Sequence, residues 1–176
     1  LETTSRDRIS LNRFESKEVV LNAFAIFRQT GNEISIQPGS YDFGETQIGF
    51  NTAGQREFSG GVNYRTGDFF NGERVNINGS FTWNQSRNFS MSLRYDWNDI
   101  ELPQGDFTTR LSSVNSQVAF SPNLYWISLI QYDNISEEIG INTRLQWVPR
   151  AGQEAFIVLN HNTQDFDQDN RFDTAF

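Results

Sequence analysis

Asp165, Asp167 and Asp169, followed by Asn170, form a D-x-D-x-D-N run. Oxygen donors at alternating positions suit a hard cation, Ca²⁺ before others, because such ions gather several oxygen ligands from one short loop. An EF-hand loop beginning at Asp165 would place glycine sixth and glutamate twelfth; Asn170 and Phe176 stand there instead. A solvated acidic loop explains the same residues without an ion. Carboxylates also gather at Asp96, Asp99, Glu101 and Asp106. Two carboxyl groups flanking one space are what a glycosidase uses, but closeness in sequence does not set their separation. His161 is the only histidine and there is no cysteine, so a histidine cluster, a thiolate metal site and a disulfide framework are all excluded. No nucleophile elbow, P-loop or dinucleotide fingerprint occurs. The residues argue against an enzyme.

The elements that would position such groups are legible in two adjacent stretches of nine residues. Val75, Ile77, Gly79, Phe81 and Trp83 alternate with Asn76, Asn78, Ser80 and Thr82. Phe89, Met91, Leu93, Tyr95 and Trp97 alternate with Ser90, Ser92, Arg94 and Asp96. Successive side chains of a strand point to opposite faces, so each stretch has one apolar and one polar face. About nine to eleven tilted strand residues also cross a bilayer's hydrocarbon core. On the lipid face of a barrel a mid-bilayer arginine costs about 2–4 kcal/mol, and far less in a wet lumen. Arg65, Arg74, Arg94 and Arg144 are therefore expected to line a lumen, with Asn63, Asn76, Asn78, Asn142 and Gln146. In a soluble sandwich the same residues would form the solvated outer face.

Composition bounds the classes. At 176 residues one domain, 1–176, accounts for the whole chain. Hydrophobic content is 36%, yet aromatics reach 14%, which is not a disorder signature. No apolar run is long enough for a spanning helix, and a barrel's alternating strands would not produce one. The net charge of −8 argues against nucleic acid as a partner. The chain opens at Leu1 without an initiator methionine, which reads as a processed piece of something larger.

Turn signals place strands at 17–29, 44–51, 55–66, 75–83, 89–97, 106–120, 124–132, 139–148, 153–162 and 171–176, about ten in all. Val114, Val118 and Phe120 fall out of phase with Phe107 and Leu111, which a bulge or a strand shielded on both faces would explain. Connections alternate between short (52–54, 84–88, 121–123, 149–152) and longer (30–43, 67–72, 99–105, 133–138, 163–170). Outer-membrane barrels carry short periplasmic turns and longer external loops, so 84–88 is expected on the periplasmic side and 99–105 outside. Trp83, Phe89, Phe120, Tyr125, Trp126 and Trp147 lie next to the short turns. Tyr64, Phe69, Phe70, Tyr95, Trp97, Phe107 and Tyr132 lie near the longer ones. The aliphatic Val62, Ile77, Met91, Leu93, Ile130 and Ile141 lie between. Two interfacial girdles around an aliphatic belt are expected, with Trp83, Trp97, Trp126 and Trp147 as the membrane-interface tryptophans. Phe172, Thr174 and Phe176 at period two would form the aromatic end read by barrel-assembly machinery; a truncation point is the alternative.

Several pieces between Thr66 and Asn160 resemble a known group. They are Gly67-Asp68-Phe69-Phe70-Asn71-Gly72, Leu102-Pro103-Gln104-Gly105-Asp106-Phe107, Phe120-Ser121-Pro122, Gln131-Tyr132-Asp133, Asn142-Thr143-Arg144-Leu145-Gln146-Trp147, and Gly152 followed by Phe156-Ile157-Val158-Leu159-Asn160. They are similar to the C-terminal β-barrel domain, of unassigned function, in large bacterial envelope proteins that carry a family-nine-like carbohydrate-binding module. The resemblance implies an outer-membrane barrel larger than ten strands and, distantly, glycan-related biology. Nothing in the chain matches the carbohydrate-binding module itself, so glycan binding is not carried over.

The expected fold is all-β, an antiparallel up-and-down transmembrane β-barrel or the C-terminal portion of a larger one. The expected function is a membrane-embedded scaffold or pore in the bacterial outer membrane. Its partners would be outer-membrane lipid, the barrel-assembly machinery and other envelope subunits, with no cofactor unless Ca²⁺ binds at Asp165, Asp167 and Asp169. The alternatives are a soluble β-sandwich carbohydrate-binding module and a glycosidase-type hydrolase.

Overall fold

The computed structural model describes residues 6–29, 31–150 and 152–164. It contains eleven strands among those residues: β1 (Arg8–Val20), β2 (Phe24–Gln29), β3 (Asn32–Ile36), β4 (Gly39–Asn51), β5 (Phe58–Phe69), β6 (Gly72–Trp83), β7 (Phe89–Leu102), β8 (Gly105–Ser121), β9 (Leu124–Asp133), β10 (Glu138–Arg150) and β11 (Gln153–Gln164). The protein is all-β and antiparallel. Nine strands form one sheet in the order β1-β4-β5-β6-β7-β8-β9-β10-β11, and β2 pairs with β3 in a sheet of their own. Apart from that insertion the chain is a meander, each strand pairing with the next.

Contacts group the chain into two compact units, one of residues 1–52, 61–79 and 96–109, the other of residues 53–60, 80–95 and 110–176. In the first, the register aligns Ile9 with Phe50 and Leu11 with Ile48, and Phe50 with Val62 and Ile48 with Tyr64. These six side chains share one face, and nothing among the described residues covers them: Leu11 is 72% exposed and Ile48 52%. The other face carries Asn12, Gln47 and Arg65 in one row. In the second unit, Val118, Trp126, Leu145 and Ile157 align across β8–β11. Val114, Ile130 and Ile141 align two rows further on, past the polar row Ser116, Ser128 and Thr143. This apolar face is bare as well, with Ile157 71% exposed.

The buried core lies mostly in the first unit, on its polar side. Ile34 and Ile36 of β3 are 1% and 0% exposed, with Val20, Phe27, Ile100, Leu102 and Phe107 also buried. Phe27 stacks on Phe107 at 4.7 Å between ring centroids. Gly105 has φ +141°, and a Cβ there would meet Ile34 Cδ1 at 3.1 Å; the β7–β8 turn thus uses glycine both for its conformation and to let Ile34 in. This explains the phase of β8. Phe107 faces the polar side because a hairpin covers it, while Val114 and Val118 face the apolar side. The bulge in β8 falls later, between Ala119 and Ser121.

Three expectations need correction. The strand expected at 17–29 is divided: β1 runs from Arg8 to Val20, and β2 follows after a break. In β1 the polar residues Arg13, Glu15 and Lys17 continue the apolar phase of Ile9 and Leu11, which erases the alternation. The expected connection 30–43 contains β3 and the start of β4. The loop asymmetry is not observed. Only Phe70 and Asn71 separate β5 from β6, and only Pro103 and Gln104 separate β7 from β8, whereas residues 84–88 lie between β6 and β7. The ladders extend into segments whose polar composition resembles loops, so loop length no longer supports a periplasmic or external end. The expected strand 171–176 lies outside the described residues.

Removing buried volume should be felt only where burial exists. Ile36→Ala is expected to cost about 2–4 kcal/mol, and Ile48→Ala clearly less, in urea unfolding followed by tryptophan fluorescence. Equal losses at the two sites would contradict the burial pattern.

Candidate functional site

The polar face of the first unit holds two networks. In one, the Glu45 carboxylate is buried, at 8% residue exposure, between two guanidinium groups. Arg74 donates through Nη2 to Glu45 Oε1, and Arg65 Nη1 lies 3.7 Å from Glu45 Oε2. Arg65 also donates to Gln47 Oε1 at 2.8 Å, and Gln47 Nε2 to Asn63 Oδ1 at 3.2 Å. Arg74 comes from β6 and reaches β4 across the intervening β5. Gly67, the β5 residue paired with Glu45, presents no side chain to obstruct it. A Cβ at Gly67 would sit 2.2 Å from Gly44 O, and its φ is +153°. Each cation also lies over a ring, Arg65 over Phe14 and Arg74 over Phe69, both at 4.6 Å. Arg74 Nε is buried without a hydrogen-bond partner, so this guanidinium depends on Glu45 and on the ring for compensation.

The second network centres on Asp96. Its carboxylate accepts from Asn78 at 2.8 Å, Asn98 at 2.7 Å and Asn76 at 3.3 Å. Asn76 also donates to Asn98 Oδ1 and to the Trp97 carbonyl, and Asn98 to Thr109. Three amide donors satisfy this carboxylate and, with the bond from Asn98 to Thr109, tie β6, β7 and β8 together. Asp99, three residues on, points to the opposite face and accepts from Thr108. Asp96 and Asp99 therefore do not face each other around one space.

Arg65 and Arg74 do share a face, as expected for lumen residues, but as a paired cluster and not as free cations. In the second unit, Arg94 and Arg144 are exposed. Arg144 is in phase with Asn142 and Gln146, which bond Asn160 and Glu154 of β11. Trp83 stacks on Phe58 at 6.0 Å, meets Phe89 edge-on at 5.5 Å and donates to Glu57. Trp126 donates to Thr143 Oγ1, and Trp147 is 53% exposed on the apolar face. Trp147 joins Leu124, Leu145, Ala155, Phe156 and Ile157 around an open apolar hollow of about 310 Å³. Trp97 is half-buried. Phe69 and Phe107 do not belong to an outward girdle. Phe69 lies under Arg74 and meets Phe43 and Phe70 edge-on, and Phe107 lies under β2; both are on the polar side. His161 is hydrogen-bonded to Thr163. Asp165, Asp167 and Asp169 lie outside the described residues, and among those described no group of three or more His, Cys, Asp or Glu could hold a metal.

The residue missed in the sequence is Glu45. Its phase with Gln47 on β4 put it on the polar face, but an isolated acid in a strand gives no sign that two arginines converge on it. No protein-family model, curated protein or solved structure matches the chain.

Breaking the triad should strand Arg74. Glu45→Ala is expected to cost about 1–3 kcal/mol in urea unfolding, because a largely desolvated cation loses its partner. Adding Arg74→Met should recover part of that loss; a double variant as unstable as the sum of the singles would show the two residues uncoupled.

Proposed function

We propose that the chain is an outer-membrane β-barrel, or the C-terminal portion of a larger one, acting as a membrane-embedded scaffold or pore. The observation that carries this reading is the bare apolar face. Ile9, Leu11, Ile48, Phe50, Val62 and Tyr64 of the first unit, and Trp126, Ile130, Leu145 and Ile157 of the second, are all exposed on it. In water such a surface would be a severe association hazard, since soluble monomers rarely expose contiguous apolar patches beyond a few hundred Å². Lipid makes it the stable arrangement, with Val62, Leu93, Ile130 and Ile157 against acyl chains. The opposite face then borders a wet lumen, where Arg65, Arg74, Arg94 and Arg144 keep polar surroundings. Trp83, Trp126 and Trp147 suit the interface, where an amphipathic ring meets both hydrocarbon and headgroups. Strands cross lipid only when every backbone group is paired, so this reading requires the free edges of β1 and β11 to be paired in the membrane. Its partners are lipid and the barrel-assembly machinery, with other envelope subunits at those edges. In this reading the protein is neither an enzyme nor dependent on a cofactor.

One observation favours a second reading. Phe58, Phe81 and Trp83 stack at 6.0–6.1 Å, a surface on which a sugar ring could lie in a soluble β-sandwich carbohydrate-binding module. That reading needs a second sheet to cover the apolar face.

The two separate on fractionation. Wild-type protein is expected in the outer-membrane fraction, with a heat-shifted band in detergent gels. Leu93→Arg and Ile130→Arg are expected to abolish that band, at about 2–4 kcal/mol each for a mid-bilayer site. Ser92→Arg, on the polar face, should leave it intact. A soluble wild type, or normal assembly of both lipid-face variants, would defeat the membrane reading.

A further inference from the structure

Residues 21–38 leave the sheet and return to it opposite the point of departure, because Val20 is paired with Gly39. A tight turn would join β1 to β4 there. The chain instead inserts the β2–β3 hairpin and folds it onto the polar face. Ile100 and Leu102 share the strand phase of Asp96 and Asn98, and Phe107 that of Thr109, so the polar face becomes apolar at the β7–β8 turn. Phe27, Ile34 and Ile36 are 7%, 1% and 0% exposed, with Phe27 on Phe107 and Ile34 against Gly105. Phe24 extends the seat by meeting Phe70 edge-on at 5.9 Å. An apolar seat on a face otherwise lined by Arg, Asn and Asp has no use in a wet lumen except to hold this hairpin.

We infer that the β2–β3 hairpin is a built-in constriction, seated on the lumen face and limiting by size the hydrophilic solutes that pass it; this rests on the barrel reading. Size and not charge is the criterion because the hairpin's ionisable side chains, Arg28 and Glu33, neutralise each other at 3.1 Å. The pair adds no net charge to the hairpin.

The test replaces residues 21–38 by Asn-Gly in the full chain and compares swelling of proteoliposomes in arabinose and raffinose. A cysteine introduced as Thr109→Cys, in a chain with no other cysteine, reports access to the polar face by its rate of labelling with a charged maleimide. The shortened protein is expected to assemble with a heat-shifted band, to admit raffinose severalfold faster and to label severalfold faster. An assembled variant with both rates unchanged overturns the constriction. Should the deletion fail to assemble, Phe27→Ser removes the Phe107 stack while keeping the hairpin. Labelling of Thr109→Cys must then rise severalfold, and an unchanged rate overturns the proposal. Failure of the barrel reading looks different: wild-type protein would be soluble, whereas labelling in solution would still report whether the hairpin covers the face.

Discussion

A strand sorts its side chains by parity, and in this chain parity separates a bare apolar face from a polar one. Ile9, Leu11, Ile48, Phe50, Val62 and Tyr64 on one unit, and Trp126, Ile130, Leu145 and Ile157 on the other, fall on faces where nothing among the described residues covers them. A soluble sheet of this size would be held together by burying that surface. Here the buried residues are few and lie on the other side. Most of the stability of the sheet must therefore come from its ladders, from side-chain networks and from whatever medium wets the apolar face. The identity of that medium is the question on which function turns.

The polar face solves a different problem. Strand backbones are joined by their own hydrogen bonds, but arginine and aspartate side chains on a half-buried face need partners of their own. Glu45 answers for Arg65 and Arg74, and three asparagines answer for Asp96. Both networks cross strand boundaries, Arg74 spanning β5 to reach β4 and Asp96 collecting donors from β6 and β7. They act as transverse ties on a sheet that has little core to resist shearing. The apolar seat under β2–β3 does the same work by burial, and the two mechanisms divide the face between them.

How much of this was legible depended on how cleanly parity is written in each segment. Strands β6, β7 and β10 are recoverable because apolar and polar residues alternate in them with few errors, and β9 and β11 because turn signals bound them. β1 was not, since Arg13, Glu15 and Lys17 occupy its apolar phase and only pairing with β4 fixes it. β3 is too short to announce itself, and Ile34 and Ile36 matter through what they touch. Phe107 and Leu111 announced a conflict of phase; the hairpin covers Phe107 on the polar side, while Leu111 in the same phase is 45% exposed, so β8 is not shielded on both faces. The four arginines were found by phase alone. Glu45 was not, because convergence of three strands is a tertiary fact. Sequence closeness left the separation of Asp96 and Asp99 open, and the strand phase of β7 puts them on opposite faces.

The register of β1 has a kinetic side. Every other neighbouring pair in the main sheet is joined by a short connection, so each hairpin can close early at small entropic cost. β1 and β4 are the exception: the whole of residues 21–38 lies between Val20 and Gly39. Closing that loop is cheap only once β2 and β3 have paired and shortened it, yet their pairing is stable only against Ile100, Leu102 and Phe107. The N-terminal strand is therefore tied to the completion of the β7–β8 turn, far along the chain. β1 is thus secured only after that turn has formed, which orders assembly of this sheet from its middle outward.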